Sequence, residues 1–480
     1  MIASNNFGRT QEQFKLKDNT SFITFLLFAS VVYGLFSQYL WVSVIGGISL
    51  AVIISQLWKP YIPPVLLYLF GYHWIQIFGS VIYADYLGKT LDVLYDSKEA
   101  EVLVAATLGQ LTLMASFLSR VFKPAFSPDL NTLKAAAEKL DTKKIITAYI
   151  VTTLIFPTLI AITYSNSSLN QLVQSFAVLR KVLLMMLIFT FFLKKTGYRN
   201  MIILIVVLEF ILSFVSYFSS FKEVIFFVVL TYLTVNPYFD NKLILRLIPI
   251  GIFLVFFMVF WSSVKGGYRA FLNQGSMKQE VRVSTGDAFD YLGEKATEFD
   301  TDSFKTGGEV LLHRMQYMQQ YSTVYARVPD IIEYSNGENL SSTISFLFLP
   351  RFLNPNKSRL DPSTKTSYYT GRQYKNAEQG TSISMGYFCD LYIDFGILLM
   401  IIPLLIITFL TGKAANYIVN NKQYNLIFVY SLFIGIFLSM GTFESDIIFY
   451  LGSVRNYIVF MILGKIFIFA WLNKYVTNNR

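Results

Sequence analysis

Twelve apolar stretches dominate this chain and leave room for little but helices in a bilayer. They fall at 21–38, 41–58, 62–83, 101–119, 145–164, 172–193, 200–219, 223–236, 244–264, 387–411, 424–441 and 446–470. A helix needs about 20 apolar residues to cross the hydrocarbon core. With 54% hydrophobic and only 15% charged residues, the chain lacks the polar surface of a soluble protein, where roughly a quarter of residues are charged. The expected fold class is an all-α integral membrane protein with about 12 transmembrane helices. The N-terminal residues are polar and no small-residue cleavage site follows the first apolar run, so no removable leader is expected.

Lysine and arginine in short loops set orientation. If the connections alternate sides, one side collects Arg9, Lys15, Lys17, Lys59, Arg120, Lys123, Lys134, Lys139, Lys143, Lys144, Lys194, Lys195, Arg199, Lys242, Arg246, Lys413, Lys422, Lys474 and Arg480. The short loops of the other side hold only Lys89, Lys98 and Lys222. Both termini are therefore expected in the cytoplasm. The same asymmetry accounts for the net charge of +10, so no nucleic-acid partner is expected. A single cysteine, Cys389, excludes an internal disulfide. With two histidines, His73 and His313, no His-built metal site is expected.

Three regions follow: an N-terminal membrane bundle of about nine helices over 1–264, a large extracytoplasmic loop over 265–386, and about three membrane helices over 387–480. The loop is far longer than an ordinary connection. Its own lysines and arginines say nothing of topology, because long loops translocate regardless of charge. Apolar and aromatic residues recur at helical spacing over Gly307–Val328. Ser342–Leu353 reads as a short helix at the membrane interface.

Ionisable residues in or beside membrane spans are costly and mark cavities or partners. Arg180 and Lys181, Lys222 and Glu223, Lys265 and Arg269, and Arg455 all fall at one level near the outer face. Arg314, Arg351, Lys357, Arg359 and Arg372 of the large loop are able to join them. Snorkelling to headgroups explains Lys181, Lys265 and Lys357 taken singly; Arg180 and Arg455 lie deeper and point to a ligand. A basic cluster at this depth suits an anionic headgroup whose tail stays in the bilayer, and arginine offers phosphate a bidentate fork. Tyrosines surround these positions and give either sugar-stacking faces or an interfacial belt.

The loop after the ninth span reads "VKGGYR…LLHRMQYM…VPDIIEYSNGENLSSTISFLFLPRFLNPNKSRLDP…GTSISMGYFCDLYIDFGILLM". This resembles the Wzy-type polysaccharide polymerases, also called O-antigen or oligosaccharide repeat-unit polymerases. The matching positions are Arg314, Pro350, Arg351, Pro355, Lys357, Tyr392, Phe395 and Gly396. Lys222 stands where many members carry arginine, and Asp390 where a glutamate is expected. The Arg359-to-Gly371 spacing is one residue longer than an Arg-x10-Gly pattern. The resemblance covers most of the chain in topology and residues 222–396 in motifs.

The resemblance implies a fold like the GT-C polymerase and ligase enzymes and a metal-independent glycosyltransferase without cofactor. It transfers an undecaprenyl-pyrophosphate-linked glycan onto a lipid-linked repeat unit at the periplasmic face of the bacterial inner membrane. Membrane lipid and a chain-length regulator or other assembly proteins would be partners. Arg314 and Arg351 would act at the reacting phosphate with Arg180, Lys222 and Arg269, while Lys357, Arg359 and Arg372 would bind substrate. Asp390 is the first candidate for the base, ahead of His313 and Glu309; its other reading is as a charge partner for a neighbouring cation. Two rival readings are an O-antigen ligase, whose usual loop histidine is missing near Gly380, and a lipid-linked oligosaccharide flippase, for which the large loop is unexpected.

Overall fold

The computed structural model describes residues 19–163, 167–217, 219–238, 241–276, 280–348, 361–375 and 382–478. Among these the chain is helical, and the one β contact is an isolated antiparallel bridge between Leu140 and Thr477.

Helices α1 (Asn19–Phe36), α2 (Leu40–Leu57) and α3 (Val65–Leu87) come first. Gly46 and Gly47 let α2 lie against both neighbours: a Cβ at Gly46 would come 2.5 Å from the Phe78 ring, and one at Gly47 would strike Ser30. Lipid gives helices no hydrophobic reason to associate, so close backbone approach carries this packing. A short α4 (Leu91–Tyr95) starts where the Thr90 hydroxyl accepts the Val93 N–H, and leads into α5 (Ala100–Val121). At the other end of the bundle, Asp129 caps α6 (Leu130–Glu138). Next come α7 (Thr142–Thr163), α8 (Ser167–Phe176), α9 (Val178–Leu193), α10 (Arg199–Leu212) and α11 (Phe221–Val235).

The ninth apolar stretch continues beyond 264 as one helix, α12 (Asn241–Leu272). Its last turns stay helical because Tyr268 and Leu272 are buried in an aromatic cluster with Phe214, Phe221 and Trp261. The described residues of the region after it form five helices: α13 (Thr285–Thr297), α14 (Thr301–Met315), α15 (Met318–Tyr325), α16 (Glu338–Phe348) and α17 (Pro362–Thr370). Side-chain caps from Ser284, Asp300 and Asp361 satisfy the free N–H groups that open α13, α14 and α17. The helix expected over Gly307–Val328 breaks at Gln316, whose buried side chain accepts the Tyr95 hydroxyl at 2.8 Å. Of the short helix expected over Ser342–Leu353, residues 342–348 belong to α16, with Leu347 buried and Phe348 exposed; 349–353 lie outside the described residues.

The tenth stretch differs from expectation. α18 (Tyr387–Leu399) is kinked where Gly396 adopts φ 68° and ψ 173°, and α19 (Ile401–Val419) follows it after Met400. Glycine takes that backbone without a Cβ penalty. The membrane-length helix is therefore Ile401–Val419, later than the expected 387–411. α20 (Leu426–Leu438), α21 (Ile447–Leu463), a π-helical turn at Gly464–Ile468 and α22 (Phe469–Val476) complete the chain.

Each of the twelve apolar intervals holds helix, and among the described residues eight helical stretches are long and apolar enough to cross a membrane. The protein is all-α and multi-pass in character. Its centre is α9 against α20, where Val182–Thr190 and Ile427–Phe437 are buried almost without interruption. Helices α14 to α18 cover one end of the bundle, called the capped end below; α15 packs on α3, α4 and α5, and α16 on α18 and α21.

Candidate functional site

At the capped end, α11, α12, α14 and the loop joining α20 to α21 bring a cluster of charged side chains together. Aromatic packing orients α11: Phe221 stacks on Phe214 at 4.6 Å, and Phe226 meets Tyr68 of α3 at 4.6 Å. Lys222 thus projects from the first turn of α11. Lys265 and Arg269 come from the last turns of α12, and Arg314 from the last turn of α14. The segment after Arg314 is tied to α3, because the Tyr317 N–H donates to the Gln76 carbonyl at 2.8 Å. The Tyr317 hydroxyl donates to the Ser384 carbonyl at 2.7 Å.

Glu444 enters from the α20–α21 loop. Its neighbour Phe443 is fully buried and meets the His73 ring edge-on at 6.2 Å. Gly386, at φ 86°, lets the backbone pass: a Cβ there would stand 2.5 Å from the Phe443 carbonyl oxygen. Both Arg314 and Glu444 are thereby referred to the same stretch of α3.

Opposite charges face each other without touching. Lys222, Arg314 and Lys265 all act electrostatically on Glu444, and Arg314, Arg269 and Lys222 act on Lys265. Yet no nitrogen of Lys222, Lys265 or Arg314 lies within 4.0 Å of a described carboxylate. Lys222, Arg314 and Glu444 are solvent-exposed although protein crowds around them. Burial among protein atoms pushes the Glu444 carboxyl above its ordinary range, against the pull of the Thr442 hydroxyl and the three cations. The balance is positive, so the cluster suits an anion with several oxygens.

The cluster brings together Arg314, Lys222 and Arg269 of the residues expected from sequence. Arg269 also donates to the Tyr217 carbonyl at 3.2 Å and lies over its ring. Arg180 is elsewhere engaged: it pairs with Glu209 at 2.6 Å, and Tyr149 donates to the same carboxylate. Glu223 pairs with Lys181 at 2.7 Å. Arg455 donates to the Leu347 carbonyl at 3.1 Å and so anchors the end of α16. Arg372 follows the left-handed Gly371 that ends α17, half-buried. Arg351, Lys357 and Arg359 lie outside the described residues.

Asp390 takes its second expected role, as a charge partner. It is 1% exposed, with one carboxylate oxygen 2.7 Å from Lys365 and the other accepting the Ile447 N–H at 2.8 Å. His313 and Glu309 lie by Tyr83, the histidine ring at 5.5 Å. Glu444 and Lys365 were missed in the sequence. The only signal for Glu444 was the acidic pair in "GTFESD", beside an apolar run.

Two cavities adjoin this end. An apolar groove of about 360 Å³ lies between α19, α20 and α21, and runs from Met440 and Tyr450 to Tyr417 and Met461. Met440 is one turn of chain from Glu444. A polar cleft of about 920 Å³ carries Asp92, Asp96, Glu99 and Asp330 beside Tyr325 and Tyr334. Among the described residues, no group of three or more His, Cys, Asp or Glu is arranged to hold a metal ion.

The chain belongs to a family described as a domain of unknown function (DUF8712), whose pattern matches residues 89–475. No curated protein and no solved structure matches it.

Proposed function

We propose that this protein is a polysaccharide polymerase of the bacterial cytoplasmic membrane. It joins a glycan carried on undecaprenyl pyrophosphate to a lipid-linked repeat unit. In this reading twelve spans cross the bilayer in a GT-C-like arrangement, the tenth of them as Ile401–Val419, both termini are cytoplasmic, and the capped end faces the periplasm. The observation that carries it is the cluster of Lys222, Lys265 and Arg314: three cations without a described ion-pair partner, gathered about Glu444, which lies four residues along the chain from Met440 of an apolar groove. An amphiphile with an anionic head and a long apolar tail has that pattern of demands. Among such amphiphiles, the sequence pattern from Arg314 to Gly396 favours a lipid-linked glycan.

The cations do two jobs. They hold the ground-state pyrophosphate, and they stabilise the charge that grows on it as the glycosidic carbon departs. Loss of one such donor costs roughly 2–4 kcal/mol of transition-state stabilisation. Arginine at 314 provides the fork; the two lysines provide point charge.

The test is a gel profile of surface glycan from a strain lacking this chain, complemented with wild type or with Arg314→Ala. Loss of the ladder to single repeat units, restored by wild type and not by the variant, supports polymerisation. Long polymer left on its lipid carrier would instead mean a ligase. Repeat units that never reach the outer face would mean a flippase.

A further inference from the structure

Sugar hydroxyls are poor nucleophiles, and a transfer to one needs a base within hydrogen-bond reach of the attacking oxygen. Asp390 does not meet that need, since both its oxygens are engaged and it is buried. Glu309 and His313 sit beside Tyr83. Glu444 differs from all of these. It is open to solvent, and among described residues its carboxylate has only the Thr442 hydroxyl, at 3.5 Å. It faces Lys222, Lys265 and Arg314 across a gap wider than an ion pair. Were Glu444 a simple countercharge for these cations, contact at ion-pair distance would be the favoured arrangement. Cations and carboxylate are instead each left to a separate group: an anion on the cations and a hydroxyl on the carboxylate.

We propose that Glu444 is the general base that deprotonates the acceptor hydroxyl, an assignment that rests on the polymerase reading. In the step, the acceptor O–H bond breaks and its proton passes to a Glu444 carboxylate oxygen. The acceptor oxygen's electron pair forms the new bond to the donor's anomeric carbon. The bond from that carbon to the pyrophosphate oxygen breaks, and its electron pair leaves with the lipid pyrophosphate, whose charge Lys222, Lys265 and Arg314 hold. Glu444 then passes the proton to water. A single displacement of this kind inverts the anomeric centre.

The experiment uses the purified full chain in lipid nanodiscs with a lipid-linked repeat unit. Polymer formation is measured for wild type, Glu444→Gln, Glu444→Asp and Glu444→Ala, beside undecaprenyl pyrophosphate binding and thermal unfolding. Glu444→Gln is expected to lose at least about a hundredfold in kcat while keeping carrier binding and unfolding temperature. Glu444→Asp retains part of the rate, and added formate rescues Glu444→Ala. Polymerisation by Glu444→Gln within a few-fold of wild type overturns the base assignment and leaves the polymerase reading intact. Retention of anomeric configuration also overturns it. A wild-type chain that makes no polymer overturns both.

Discussion

The Lys365 ammonium sits 2.7 Å from one carboxylate oxygen of Asp390 and links α17 to α18. The other oxygen takes the N–H that opens α21. One carboxylate thus joins three elements at the capped end. Breaking a buried pair by removing one partner is strongly destabilising, because the remaining charge is left uncompensated. Lys365→Met is expected to lower stability by about 3–5 kcal/mol, read as a lower unfolding temperature in detergent. Adding Asp390→Leu to it should recover much of the loss; a double variant no better than the single one would refute the account.

The same pair has a pH signature. Burial works against charge on Lys365, but Asp390 outweighs it and holds the ammonium above its ordinary 10.5. A raised folded-state value gives stability that is fully present below the ordinary value. It is lost as pH rises through the folded one. Unfolding temperature should therefore fall more steeply in the wild type than in Lys365→Met/Asp390→Leu as pH climbs past 10.5.

Arg180 and Arg314 should separate cleanly. Arg314→Ala is expected to weaken undecaprenyl pyrophosphate binding at least tenfold, with Arg314→Lys intermediate because it keeps charge without the fork. Arg180→Ala should leave that binding unchanged and lower thermal stability instead, since it strips Glu209 of its partner. Equal binding losses in the two variants would place Arg180 back among the ligand residues.

Glu444 predicts an acid limb. A base works deprotonated, so polymer formation should fall as pH drops through the Glu444 value, which burial places above the ordinary 4.5. Initial rates between about pH 4 and pH 8 at saturating donor give the limb, and Glu444→Gln should abolish it together with most of the rate.

The apolar groove gives a size test. Val454→Trp introduces a bulky ring into the wall between α19, α20 and α21. It should raise KM for a full-length polyprenyl donor about tenfold or more, and much less for a short-chain analogue, because each excluded methylene forfeits about 0.8 kcal/mol of burial. An equal effect on both donors would mean the tail lies elsewhere.

The positions of the helices were legible because lipid demands long apolar runs, and each run in the sequence holds helix. The break at Gly396 was not, since a left-handed glycine inside an apolar run leaves the composition unchanged. Arg314 and Lys222 were readable as charges at a common depth. Arg180 fitted the same description, and only the position of Glu209 on α10 tells it apart. Lys365 was hidden among the many polar residues of its loop, and Glu444 in a short acidic turn that reads as ordinary solvent-facing chain. Their roles depend on which segments meet, and no local pattern encodes that.

The anchoring of both Arg314 and Glu444 to α3 has a mechanical meaning. Tyr317 fixes the chain beside Arg314 to Gln76, and Phe443 fixes the chain beside Glu444 to His73, less than one helical turn away. The two jaws share a single ruler. If α3 tilts within the bilayer, both jaws travel with it and the gap between them keeps its width, so a thinner or thicker membrane would shift the whole clamp without opening it.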